Sequence, residues 1–383
     1  MKILITGGAG FLGLHLAKYF SEHFVGNKDF CSLLDIAEFD KKEYPKNCHF
    51  IKADIRNSTL MYQYIKSMDY VIHAAAALPL WKEKDIFDIN VGGTKNILEA
   101  SFKNKVKRVI YVSSTAVYGV PKKHPIYEND RRVGVGSYGQ SKIEAENLCF
   151  SYIKKGLNVT IIRPKTFLGT HRLGVFEILF DWIHDGKKIP VVGSGNNRYQ
   201  LLDVDDLVEA IYLFVVRSGH PQGVQRQQGH PKGDLIYNGA FNIGAEKFTT
   251  VKKDLEKVFI YASSERSESR SHNKNSSRQA RTISKVFPTP AFFVKKALWL
   301  FEKLKLSPLY QWVYDTADKD SFVSVKRLTE TLNWHPKYSN SDALIKAYRW
   351  YFKNYKEIKS RGSGVTHTVG WKQGILGLIK KTM

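Results

Sequence analysis

The sequence predicts an α/β fold, a doubly wound parallel sheet followed by a smaller C-terminal lobe. Six nearly continuous apolar runs alternate with helix-like segments as far as Pro164, the rhythm of a sheet covered on both faces. A glycine-rich turn joins the first run to the first helix. After Pro164 the rhythm breaks. The 383 residues, 43% hydrophobic and 13% aromatic, suffice for a large core and a second lobe.

The strand-like runs are KILIT, FCSLLD, HFIKAD, YVIHAAAA, RVIYVSS and NVTIIRP. Helices are expected from Phe11 to Glu22 and over 84–103 and 137–155. The first domain is placed at 1–165 and also receives segments near 199–216 and 241–244. The second, mainly substrate-binding lobe covers 166–355. Within it, 217–235 and 263–283 are polar and poor in apolar residues, and are expected to be mobile surface loops. Helices are expected at AFFVKKALWLFEKLKL, SVKRLTETLNWHP and SDALIKAYRWYFKNY. Residues 356–383 read as a basic amphipathic tail. In it Trp371, Ile375, Leu378 and Ile379 fall at helical spacing beside Lys372, Lys380 and Lys381.

Lysine and arginine total 59 against 36 acids, a net charge of +23. This favours anionic partners: a phosphorylated small molecule or an anionic membrane surface. Nucleic acid is disfavoured, because the basic stretch of 263–283 lacks interleaved aromatics. No run of about 18 uncharged apolar residues predicts a spanning helix. The start has no basic flank and long apolar segment, so no leader peptide is expected. Cys31, Cys48 and Cys149 are scattered and lack metal-ligand spacing, pointing to a reduced, cytoplasmic chain without a metal. Asp203, Asp205 and Asp206 have no histidine nearby and are read as helix-capping residues.

The loop GGAGFLG begins at Gly7. Gly8, Gly10 and Gly13 fit G-x-G-x-x-G, and Gly7 adds a second phasing. Such a loop needs one glycine for the tight turn, one for close approach to a pyrophosphate, and one to pack helix on strand. The helix start that follows supplies N–H donors and a positive dipole end. Asp35 closes the second strand, where an acid holds ribose hydroxyls and disfavours a 2′-phosphate. The expected cofactor is therefore NAD rather than NADP.

Tyr138 and Lys142 stand four apart, on one face of a helix. A lysine cation beside a tyrosine, with a positively charged nicotinamide nearby, favours the phenolate, which then accepts a proton from a substrate hydroxyl. The same spacing recurs at Tyr62, Tyr118 and Tyr355, so position selects Tyr138: it opens the helix after the fifth strand. Ser113 and Ser114 end that strand, on the edge where ligands bind such sheets. Asn90 is expected to fix backbone, His73 to be structural and Cys149 to lie in the core.

In order, GGAGFLG, LLD, KADIRN, HAAA, NVGGT, VSSTAVYG, YGQSK, IIRP, LLDVDDLVEAI, FNIG and LNWHPKYS resemble the extended short-chain dehydrogenase/reductases, the NAD-dependent epimerase/dehydratase family. The resemblance runs from Met1 to about Tyr355. It implies a Rossmann-type fold and catalytic Ser114, Tyr138 and Lys142. The implied cofactor seat is Gly7, Gly10, Phe11, Leu12, Gly13, Asp35, Asp54, Ile55, Ala74, Ala75, Ala76, Tyr138, Lys142 and Pro164. Ser114, Thr166 and Arg198 would meet substrate, Arg198 at a diphosphate. Similar proteins are commonly homodimers.

The implied substrate is a nucleotide sugar, although RPKTFLG carries Thr166 and Leu168 where relatives often have Asn and Tyr. Two alternatives stand beside it. One is a sterol-dehydrogenase-like enzyme of an apolar alcohol or ketone at a membrane surface, with AFFVKKALWLFEKLKL lining an apolar pocket. The other is a non-catalytic NAD-binding protein.

Overall fold

The computed structural model of the chain describes residues 1–79, 81–171, 173–217, 235–271, 284–304, 311–360, 363–364, 370–371 and 375–382. In chain order the first elements are β1 (Lys2–Thr6), α1 (Phe11–Glu22), β2 (Phe30–Asp35), β3 (Cys48–Lys52), α2 (Ser58–Ile65) and β4 (Tyr70–His73). Next come α3 (Glu83–Phe87), α4 (Thr94–Lys103), β5 (Arg108–Val112), α5 (Gly136–Lys154) and β6 (Val159–Pro164). They are followed by β7 (Phe167–Leu168), α6 (Phe176–His184), β8 (Ile189–Val192), β9 (Leu202–Asp203), α7 (Val204–Arg217) and β10 (Gly239–Ile243). The last are α8 (Val251–Ser271), β11 (Val286–Thr289), α9 (Ala291–Lys303), α10 (Gln311–Thr316), α11 (Lys326–Leu332), α12 (Asn340–Lys353), α13 (Tyr355–Ser360) and α14 (Ile375–Thr382). No helix among the described residues is long and apolar enough to cross a membrane.

Two compact units result. The first is Met1–Lys165 with Val204–Gly244 and Val323–His335. Its seven strands form a parallel sheet in the order β10-β6-β5-β4-β1-β2-β3. The strands β4, β5 and β6 are buried end to end, as expected where helices cover both faces. The order reverses at β1, which lies between β2 and β4, so the chain leaves the sheet in opposite senses there. A crevice at the carboxyl ends of the strands is the outcome in such sheets. The expected boundary at 165 omitted Val323–His335. That segment joins the first unit through the bridge Ile126–Val323 and the bond from Ser324 N to the Ile126 carbonyl.

The turn after β1 owes its shape to its glycines. Gly7 has φ +73°, and a Cβ there would stand 2.8 Å from Ala75 N. A Cβ on Gly13 would stand 2.3 Å from the Gly7 carbonyl oxygen and 2.6 Å from that of Gly8. Neither position has room for a side chain.

A single helix was expected over 84–103. Instead α3 and α4 are separated by a π-helical turn, Asp88–Gly93, that holds Asn90. Asn90 Oδ1 accepts from Ala77 N at 2.8 Å, and its Nδ2 donates to Ser141 Oγ at 3.0 Å. The wide turn brings this amide inward, where it ties the segment after β4 to α5.

The second unit is Thr166–Asp203, Ala245–Phe322 and Pro336–Met383. Its core gathers α6, α8 and α12 around Phe180, Ile183, Val258, Phe259, Ala347 and Tyr348. One expectation is corrected here. The polar stretch from Ser263 continues α8 as far as Ser271, with the Ser263 and Ser264 hydroxyls bonded back to the Ile260 and Tyr261 carbonyls. Residues 272–283 and 218–234 of the two expected loops lie outside the described residues. Asp203 stands at the position just before α7, where a cap was expected, and it also pairs with Lys346 at 2.6 Å.

Most large apolar side chains of the α9 helix are exposed. The tail docks on its own unit. Lys380 pairs with Asp181 and, at 2.6 Å, with Asp185, and Leu376 packs on the core. Burial pushes the Asp181 carboxyl up, but Lys359 and Lys380 outweigh it and hold the group below its ordinary value. A membrane-facing tail would have to surrender these pairs. Residues 372–374 of that expectation lie outside the described residues.

Candidate active site

The glycine turn is held from three sides. Gly8 N donates to the Leu34 carbonyl at 3.1 Å, and Tyr44 Oη donates to the Gly8 carbonyl at 3.0 Å. Asp35, at the end of β2, accepts from Ala9 N through Oδ2 and from Ala37 N through Oδ1, each at 3.0 Å. The adjacent strand end contributes Ala74, Ala75 and Ala76, all half-buried. Ala75 N donates to Thr6 Oγ1 at 3.2 Å. Phe11 and Leu12 open α1, and Ile55 is buried beside them in the same unit. Asp54 is engaged by Arg56, whose hydrogen bonds hold its carboxyl below the ordinary range. Pro164 ends β6, and Lys165 behind it is buried, its amine lowered to about 7 by desolvation.

These residues fit a dinucleotide. A cradle without room for Cβ atoms precedes a helix start, an acid stands at the next strand end, and small residues form the adjacent wall.

The chemical groups gather on α5. Burial pushes the Tyr138 phenol up to about 12, and the Ser114 hydroxyl opposes that shift. Ser114 Oγ also accepts from Ala116 N at 3.2 Å, capping a short 3₁₀ turn, Thr115–Tyr118. Ser113 points elsewhere: its Oγ donates to Glu146 Oε1 at 2.6 Å. The two serines, equivalent in the sequence, are thus separated by their partners.

Lys142 is buried, and its Nζ donates to the Val112 carbonyl at 3.0 Å. Desolvation lowers it to about 8, although Glu146 opposes the shift. Its Nζ stands 5.9 Å from the centroid of the Tyr138 ring. The ammonium is thus anchored on a backbone carbonyl.

His73 is structural, as expected. Thr6 and Thr94 hydroxyls bond its two nitrogens at 2.7 and 2.9 Å, and burial lowers it to about 3. Cys149 is buried in α5.

Sequence reasoning missed the groups beneath. Glu146 is fully buried, one turn beyond Lys142. Arg163 donates to it from Nε at 2.8 Å and Nη2 at 2.7 Å, and Arg132 adds a bond at 2.9 Å. Burial opposes the Arg163 charge, but Glu146 more than restores it. Arg163 also donates to Tyr118 Oη at 2.6 Å, and Tyr118 donates to Asn242 Oδ1 at 2.7 Å. The available signal was a Tyr138, Lys142, Glu146 series at every fourth position, with an acid where an apolar residue is normal.

The two remaining expected residues lie in the second unit. Thr166 Oγ1 is 3.3 Å from Tyr199 Oη. Arg198 pairs with Asp320 at 3.1 Å and lies 4.3 Å over the Phe322 ring.

A model of the NAD dependent epimerase/dehydratase family matches residues 3–226. Over 378 residues the chain is 31% identical to the uncharacterized protein y4nG of Sinorhizobium fredii, covering 98% of this chain and 85% of that one. It is 32% identical to dTDP-D-glucose 4,6-dehydratase of Dictyostelium discoideum over 57% of this chain and 56% of that one. In fold it is similar to UDP-glucuronic acid 4-epimerase from Bacillus cereus, solved in complex with NAD. That similarity has a TM-score of 0.67 at 20% identity, covering 93% of this chain and all of that one.

Removing Glu146 leaves buried guanidinium charge uncompensated. Glu146→Gln is expected to cost about 3–5 kcal/mol in urea unfolding. A loss below about 1 kcal/mol would show that Arg163 is held by other groups.

Proposed function

The chain belongs to the NAD dependent epimerase/dehydratase family, and from that premise we propose that it binds NAD and acts on a nucleotide sugar, with Tyr138 as its acid/base. The observation that carries this reading is the pairing of Tyr138 with buried Lys142 one helical turn on, its Nζ 5.9 Å from the Tyr138 ring centroid, in the unit that holds the glycine cradle.

NAD, when bound, supplies a hydride acceptor and a positive charge beside Tyr138. Gly7, Gly10 and Gly13 let the backbone approach its pyrophosphate, with Phe11 and Leu12 at the helix start. Asp35 takes the ribose hydroxyls, while Asp54 and Ile55 flank the adenine. Ala74, Ala75 and Ala76 form the wall along it, and Pro164 stands at the amide end. Lys142 holds the second ribose.

Ser114 Oγ holds the sugar oxygen that gains or loses a proton, and Tyr138 Oη moves that proton. With its phenol raised to about 12 by burial, Tyr138 rests as the acid and needs neighbouring positive charge to act as the base. Thr166 and Arg198 meet the rest of the substrate. The Arg198 guanidinium has five donors, and the bond to Asp320 uses one of them, leaving an exposed fork for a diphosphate.

Two measurements check this reading. Tyr138→Phe should keep NAD affinity within about two-fold and lose turnover by about 100-fold or more; near-normal turnover would remove Tyr138 from the mechanism. By calorimetry the wild type should bind NAD more tightly than NADP, and Asp35→Asn should narrow the gap. Tighter NADP binding by the wild type would overturn the role given to Asp35.

A further inference from the structure

α9 is apolar on both of its faces. Its inner face is occupied: Leu298 is buried, Lys295 donates to the Asp315 carbonyl at 3.0 Å and pairs with Asp318, and Glu302 accepts from Tyr314 Oη at 2.6 Å. At about 100° per residue, the other large side chains fall on one outer arc of about 140°. Phe292 and Phe293 are 63% and 71% exposed there, Trp299 45%, Leu300 50% and Leu304 57%. A solvated helix carries polar residues on this side.

The only charges on the arc are cationic. Lys296 Nζ lies 4.4 Å over the Phe292 ring, and Lys303 Nζ lies 4.2 Å over the Trp299 ring. Both lysines fall within the arc, their stems along apolar surface and their ammonium groups over its rings.

We propose that this outer face of α9 seats the protein on an anionic phospholipid surface. Aromatic rings and leucines reaching the headgroup–acyl boundary, with long lysines among them whose ammonium groups extend to the headgroups, suit an interfacial helix. Anionic headgroups complement Lys296 and Lys303, and the chain's net charge of +23 draws the whole protein to the same surface. A second copy fits less well. A two-fold pairing of this face would set lysines against lysines with no acid on the arc to answer them, and lysine is depleted at the cores of protein interfaces.

The test uses the full chain, spun with vesicles of phosphatidylcholine alone or mixed with phosphatidylglycerol. The wild type should sediment with the anionic vesicles, stay in solution with the neutral ones, and be released by salt. Phe292→Ser with Phe293→Ser, and separately Lys296→Glu with Lys303→Glu, should each weaken vesicle affinity about ten-fold or more. Both pairs are exposed, so their melting temperatures should match the wild type. Three results would overturn the proposal. The wild type could remain in the supernatant with anionic vesicles. Both double variants could sediment as it does. Or the face could hold a dimer that the same substitutions split, without vesicle binding.

Discussion

The buried Glu146–Arg163 pair is the constraint on which the candidate site depends. Glu146 sits on α5 with no exposed surface, and Arg163 sits on β6, equally buried. A carboxylate in such a place needs its oxygens filled, and Ser113, Arg132 and Arg163 fill them. Three partners from three segments fix the rotation of α5 about its axis. Tyr138 and Lys142 precede Glu146 by eight and four positions, so the same rotation aims them at the strand ends. The pair also reaches β10 through Tyr118 and Asn242, which binds the last strand to this arrangement.

The same burial sets the chemistry. It raises Tyr138 to about 12, lowers Lys142 to about 8 and lowers His73 to about 3. Each shift disfavours charge, yet at about 8 Lys142 keeps its proton at neutral pH. In so buried a place the charge of a ligand acts on Tyr138 with little solvent screening. Asn90 and Ser141 hold the opposite side rigid, so the electrostatic arrangement needs no movement of backbone.

Much of this was legible because it is local. The glycine spacing, the acid ending β2 and the alternating rhythm each follow from constraints within a few residues. The Tyr138–Lys142 face follows from helix geometry. What escaped depends on contacts distant in sequence. Glu146 looked like any helix-surface acid until Arg163, seventeen positions on, came against it. Ser113 and Ser114 could not be told apart without knowing which faced Glu146. The segment 323–335 joins the first unit through partners distant in sequence, among them Ile126, Arg217 and Phe241. The Ser263–Ser271 stretch was misread because serine content suggests a loop, whereas these hydroxyls satisfy the helix's own carbonyls. Lys380 was misread for a similar reason: its charge suggested an outside partner, and Asp181 and Asp185 supply one within the unit.

The central claim is that burial keeps Tyr138 protonated until positive charge arrives beside it. Its ionisation can be followed as the ultraviolet difference between wild type and Tyr138→Phe across the mildly alkaline range in which the chain stays folded. The account predicts no Tyr138 phenolate signal in that range without cofactor, since the phenol sits at about 12. With saturating NAD the signal should appear. Identical titrations with and without NAD would contradict it.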